Sequence, residues 1–194
     1  YDKPTWHYVN LLWRKQTLGF EESHNGELVN RLNTLDPKGD PIDLAWTLHL
    51  IGDIHQPLHS SGRITNREPN GDRGGNDFRL AGVGVSNLHS FWDTIFSRFW
   101  KKKSKEDDYL WASRIAEAVV KKYPRDSLEP DLRDLCFSRW SMNGAILARE
   151  YAYPEYLERD KVPPYQYQHT VVEVSQRQTA LAGYRLAMVL NDLF

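Results

Sequence analysis

Apolar residues return at helical spacing along most of this 194-residue chain, and the runs they form stop at proline and glycine. This period restricts the fold more than any other feature, because a 3.6-residue repeat does not suit a strand whose side chains alternate faces at every residue. It predicts helices over Glu27–Leu35, Ile42–Gln56, Leu88–Trp100, Asp107–Lys122, Glu129–Tyr151 and Tyr167–Phe194. Asp40 and Pro41 read as the N-cap and first turn of the second helix, and Pro57 as its end. Leu44, Leu48, Ile51 and Ile54 read as its buried face. Tyr153–Pro164, with three prolines, reads as a connecting arm. Ser60–Gly75 reads as a long polar loop, a length uncommon without a function. The weak alternation over Asp77–Val85 reads as a short hairpin. The expected fold is all-α: one multi-helix domain over residues 1–194 with a short β-hairpin.

Charge narrows the function. The formal net charge is −1, and no basic face is evident beyond Lys101, Lys102, Lys103 and Lys105, which read as a solvated loop. A grip on duplex phosphates by a basic surface is therefore not expected. A polyanionic substrate would need another partner, and bound cations would serve, being often the largest local charges in a site. The single cysteine, Cys136, excludes an internal disulfide and a Cys-based zinc site. No stretch is long and apolar enough to span a membrane, and Tyr1-Asp2-Lys3-Pro4 is not a signal peptide.

His49 and Asp53 stand four apart on one predicted helix, and His89 and Asp93 repeat the spacing on another. An imidazole and a carboxylate so placed share a helix face and can chelate one divalent ion, and nitrogen and oxygen donors suit zinc. One such pair alone is an ordinary solvated ion pair. Two pairs, with His59 just past Pro57 and His7 among Trp6, Tyr8 and Val9, supply enough ligands for two sites of three each. Three protein ligands plus water is the open arrangement of catalytic zinc. Gly52 costs about 1 kcal/mol inside a helix, which a close approach by another group would justify. Gly74-Gly75-Asn76 can hold a tight turn that offers backbone and amide groups to a phosphate. His55 lies off the ligand face and is expected behind the ligands or exposed, and His24 and His169 at the surface.

The run from His49 through Asp53 to His59, then Gly74-Gly75-Asn76, then Asn87 to Asp93, resembles the S1/P1 nuclease family, whose fold is that of the phospholipase C/nuclease superfamily. Trp6-His7-Tyr8-Val9-Asn10 and Ala182 to Ala187 extend the resemblance over nearly the whole chain. It implies an almost wholly helical fold with three zinc ions in a cleft. His59, His89 and Asp93 would hold one ion, and His7, His49 and Asp53 a second, with Asp53 bridging to a third. His49 and Asp53 would carry the catalytic role. Tyr8 and Asn10 would stack on a base and bond its edge, with Arg73 and Asn76 lining the same pocket. The implied activity is zinc-dependent endonuclease cleavage of single-stranded DNA and RNA to 5′-phosphate products, with 3′-nucleotidase activity. The implied protein is secreted or periplasmic, monomeric, and without a membrane partner.

Family members begin at a Trp whose terminal amine and carbonyl bind the third zinc, and a later Trp-Ala-Asp segment adds an Asp and an Arg; Tyr1 corresponds to a point beyond both. An N-terminally truncated chain is thus expected, with at most two well-liganded zinc sites and weak activity until that segment is restored. The alternatives are a zinc phospholipase C-type phosphodiesterase, whose second pair resembles His-x-x-x-Glu, and a non-catalytic nucleotide- or metal-binding remnant. A helical structural protein with incidental histidines is the remaining reading.

Overall fold

A computed structural model describes residues 2–22 and 25–193. Its helices are α1 (Leu28–Thr34), α2 (Pro41–Ile54), α3 (Leu88–Asp93), α4 (Ile95–Phe99), α5 (Asp108–Lys122), α6 (Glu129–Leu132), α7 (Phe137–Leu147) and α8 (Tyr165–Leu193). Three short strands, β1 (Leu11–Trp13), β2 (Glu21–Glu22) and β3 (Ser61–Arg63), form a sheet in the order β2-β1-β3. The all-α expectation holds for the bulk of the chain, and the predicted helices are all found in whole or in part. His24, Tyr1 and Phe194 lie outside the described residues.

The second helix starts as its sequence dictates. The Asp40 side chain accepts a hydrogen bond from the Ile42 N–H at 2.8 Å, and Pro41 occupies the first helical position. Its buried face is not the expected one. Thr47, Leu50, Ile51 and Ile54 are buried, Leu44 is half-buried, and Leu48 is exposed. The stripe is turned so that His49 and Gly52 open toward a cleft. A Cβ at Gly52 would meet nothing within 4 Å, so no group makes the close approach its sequence position suggested.

The hairpin expected over Asp77–Val85 is absent. One antiparallel bridge, Arg79 to Asn87, is all that forms there, because Gly82 and Gly84 both take left-handed backbone and end the alternation. The sheet forms instead where β1 pairs antiparallel with β2 and parallel with β3, so a strand lies inside the stretch expected to be loop. The predicted helix over Leu88–Trp100 is two helices broken at Thr94, whose Oγ1 donates to the Ser90 carbonyl at 2.6 Å. The predicted helix over Glu129–Tyr151 is α6, a break between Leu132 and Phe137, α7, and a π-turn over Ala148–Ala152.

Three apolar clusters hold these pieces. One joins Leu58, Leu88, Phe91 and Trp92 to Tyr153, Tyr167 and Val171. A second joins Leu50, Ile51 and Ile54 of α2 to Leu28 and Leu32 of α1, Val9, and Trp140 of α7. A third seats Ile115 and Val119 of α5 against Ala180 and Leu181 of α8. In the first cluster the Trp92 indole donates to Tyr167 Oη at 3.0 Å, which donates to the Ala152 carbonyl at 2.9 Å. Among the described residues no helix is long and apolar enough to cross a membrane.

Candidate metal centre

His7, His49, Asp53, His59 and Asp93 line one cleft of about 550 Å³ between α2, α3 and α8, and His89 lines a smaller hollow beside it. His7 ends a 3₁₀ turn over Pro4–His7. His49 and Asp53 project from α2 one turn apart. Pro57 opens a second 3₁₀ turn over Pro57–Ser60, which carries His59 to the cleft. His89 and Asp93 come from α3, whose N-cap Asn87 accepts from the Ser90 N–H at 2.8 Å.

Two groups result, His7–His49–Asp53 and His59–His89–Asp93, each with its donor atoms within 4.8 Å of one another. In the first, Asp53 Oδ2 lies 2.9 Å from His7 Nδ1 and 3.2 Å from His49 Nε2, and the two ring nitrogens are 3.0 Å apart. In the second, Asp93 Oδ1 lies 3.5 Å from His59 Nε2 and Oδ2 lies 3.6 Å from His89 Nε2. The His59 and His89 rings stack with centroids 4.8 Å apart. The six side chains singled out in the sequence are therefore brought together.

The donor sets fit divalent ions. Nδ1 of His59 donates to the His7 carbonyl at 2.6 Å, and Nδ1 of His89 to the Gly74 carbonyl at 2.8 Å. Each backbone bond fixes the proton on Nδ1 and turns Nε2 toward the carboxylate, the aim a metal ligand needs. The Gln56 amide donates to Asp93 Oδ1 at 2.8 Å and orients that carboxylate. Burial alone would depress the His59 imidazole, but the Asp93 hydrogen bond and the charges of Asp53 and Asp93 outweigh it and hold the group above its ordinary value. Burial and the neighbouring His59 push His89 down. Burial would raise the Asp93 carboxyl, yet its bonds to His59 and Gln56 and the charge on His89 hold it below the usual range. Three neighbouring groups that pull one another's protonation in opposite directions form a site where a bound cation resolves the conflict.

A second, smaller hollow of about 160 Å³ adjoins His59 and His89 and is lined by Tyr8, Asn10, Arg73, Gly74 and Asn76. All four expected substrate residues thus meet. Tyr8 is half-buried rather than a core aromatic, Asn10 is half-buried, and Arg73 is exposed. The Asn76 amide donates to the Arg73 carbonyl at 2.9 Å. Arg73, Gly74 and Gly75 have φ of 54°, 60° and 80°. A Cβ on Gly74 would lie 2.3 Å from the Leu58 carbonyl oxygen, so only glycine lets this turn approach.

His55 is buried, not exposed. Its Nδ1 donates to the Ile51 carbonyl at 2.7 Å and Arg185 donates to its Nε2 at 3.0 Å. Burial foremost, with the Arg185 charge, lowers its pKa to about 4. His169 is exposed, as expected, and so are the four lysines from Lys101 to Lys105. Two contributors were not singled out in the sequence. Trp46 places its ring 5.6 Å from that of His7 and 5.9 Å from that of His49. Gln56 holds Asp93. Their signal was position alone, Trp46 one turn before His49 and Gln56 inside the ligand run.

The profile described as S1/P1 nuclease matches residues 3–194. The chain belongs to the S1/P1 nuclease family. "Endonuclease 1" of Arabidopsis thaliana is 27% identical over 158 residues, which cover 78% of this chain and 49% of the relative. The chain thus spans about half the length of that curated relative. A nuclease family is one of hydrolases acting on phosphodiesters, and the two His-His-Asp groups can hold metal ions.

Proposed function

We propose that the protein is a zinc-dependent endonuclease that cuts single-stranded DNA and RNA, leaving 5′-phosphates, and that it also removes 3′-phosphates from nucleotides. The observation that carries this reading is the pair of His-His-Asp groups set side by side and joined through the His59–His7 bond, with a hollow of about 160 Å³ lined by Tyr8 and Asn10 against them. His7, His49 and Asp53 would hold one ion and His59, His89 and Asp93 the other; no third group of this kind occurs among the described residues. Bound there, such ions supply Lewis-acid activation of water and neutralise charge at phosphorus.

The chain's own residues position the substrate. Tyr8 offers a ring face to an unpaired base, and Asn10 an amide to its edge; stacking of this kind is worth about 1–3 kcal/mol per base and tolerates any sequence. Bases held in a duplex are not free to enter, which favours single strands. The Arg73 guanidinium, at the rim, is placed to balance phosphate charge. Asp53 is shared in reach by both groups, with Oδ1 at 3.9 Å from His59 Nδ1, and keeps them at a fixed spacing. Family resemblance supports an exported, monomeric protein.

Metal analysis with cleavage assays tests this. Two zinc per chain are expected, falling to one in His89→Ala. Single-stranded DNA should be cut to 5′-phosphate ends, a chelator should abolish cutting, and phosphatidylcholine should remain intact. Zinc-loaded protein that binds strands without cutting them would assign the fold a binding role instead, and hydrolysis of phosphatidylcholine would transfer it to the phospholipases.

A further inference from the structure

A pocket of about 400 Å³ lies at the far end of the β1–β3 pair. Arg14, Lys15, Arg63 and Arg149 line it, with amide donors from Gln16 and Asn66, and no Asp or Glu is among its lining residues. In a chain whose net charge is −1, this is a concentration of positive charge in a concave site.

The four cations differ in how they are held. Arg14 is exposed and makes no ion pair among the described residues, and Lys15 is paired with Glu155 at the surface. Arg149 is fixed by two carbonyls, donating to Leu18 at 3.0 Å and Thr17 at 2.8 Å, so its charge is positioned but not cancelled by them. The Arg63 guanidinium lies 4.3 Å from the centre of the Tyr153 ring, with its Nε buried and the Asp72 carboxylate, which accepts from its backbone N–H at 2.9 Å, close enough to feel its charge. The aromatic rings at this pocket, Trp13 and Tyr153, are buried, so it offers charge and hydrogen-bond donors but no stacking face. That chemistry suits a phosphate rather than a base.

The sheet links this pocket to the candidate metal centre. β1 and β3 run parallel, with Leu11 beside Ser61 and Trp13 beside Arg63. Asn10 and His59 precede these strands at one end, and Arg14 and Arg63 stand at the other. Four residues of extended chain from Asn10 to Arg14 span about 13 Å. That is about four phosphates of a stacked single strand at 3.4 Å each, and fewer of one drawn out.

Resting on the nuclease reading, we propose that Arg14, Lys15, Arg63 and Arg149 form a phosphate-binding subsite that holds a single strand a few nucleotides away from the bond being cut. Short substrates would miss it and longer strands would gain affinity from it.

Fluorescence anisotropy of labelled dT12 in chelator, where no strand is cut, reads this directly. Arg14→Glu, an exposed change that should not disturb folding, is expected to raise the Kd about tenfold and to flatten the slope of log Kd against log salt by about 0.7 for each phosphate no longer neutralised. Asn66→Asp in the same pocket should act in the same direction, Lys101→Glu in the exposed lysine run should change little, and inorganic phosphate should compete. With zinc, both pocket variants should lower kcat/KM for dT12 and leave it unchanged for the dinucleotide dT2. The subsite is overturned if wild-type protein does not bind dT12, if the pocket variants bind it as tightly as wild type, or if Lys101→Glu weakens it equally. Phosphatidylserine vesicles that lose binding in Arg14→Glu while dT12 does not would also overturn it, in favour of a lipid surface. Failure of the nuclease reading looks different: dT2 and dT12 are both left uncut by zinc-loaded protein whatever dT12 binding shows.

Discussion

Gly74 carries two duties at once: its backbone fits only where a Cβ is missing, and its carbonyl aims His89. Gly74→Ala therefore meets left-handed strain together with a clash against the Leu58 carbonyl. A loss of about 1–3 kcal/mol is expected in denaturant unfolding, with zinc affinity reduced as the His89 ring loses its support. Gln56 isolates the orienting effect from the strain. Gln56→Met removes the donor to Asp93 and should weaken zinc at the His59–His89–Asp93 group by about 10–100-fold in a competition titration. It should also cost about 1 kcal/mol of stability, since Gln56 caps the turn carrying His59 by accepting the Leu58 N–H. At this scale the sequence was informative about ligands and silent about their supports. His and Asp at a spacing of four declare themselves, whereas only their position, and not their residue type, marks Gln56 and Trp46 as neighbours of a site built from residues 7 to 93.

Between α2 and α8 the buried polar contact of His55 with Arg185 joins elements far apart in sequence, and Gln178 adds a bond to the His55 carbonyl at 3.2 Å. A His55 pKa of about 4 in the fold, against 6.5 for the free side chain, means that the unfolded chain binds the extra proton more readily. The stability tied to this buried histidine is complete above pH 6.5 and is lost as pH falls from 6.5 to 4, by about 3 kcal/mol in all, with burial the largest cause. Urea unfolding between pH 7 and pH 4 should show this loss, and His55→Asn should be less stable at pH 7 yet lose less over the same range. Helices with caps and proline stops, such as α2 and α5, were legible to within a few residues because their signals are local. The three strands were not: each is two or three residues long, too short for alternation to register, and they pair across sequence gaps that only tertiary contact can close. The break at Thr94 likewise hides in a continuous apolar pattern, and the exposed Leu48 shows that spacing alone does not say which of two neighbouring stripes is covered.

Across the whole molecule, three apolar clusters hold the fold, and ligands drawn from residues 7 to 93 are brought together without covalent links. An ion that binds only the folded arrangement must stabilise it, by about 2.7 kcal/mol when present at 100 times its Kd. Thermal unfolding should therefore shift upward on adding zinc and return on chelation, with a smaller shift in His59→Ala. A midpoint indifferent to zinc would mean that the two groups are not sockets for it.

The short bond from His59 Nδ1 to the His7 carbonyl ties a side chain of one group to the backbone of the other. Whatever stills His7 also stills the peptide that steers His59, so occupancy of the first group prepares the second. Loading should consequently be cooperative, with half-filled molecules scarce and the protein passing from empty to full over a narrow span of free zinc.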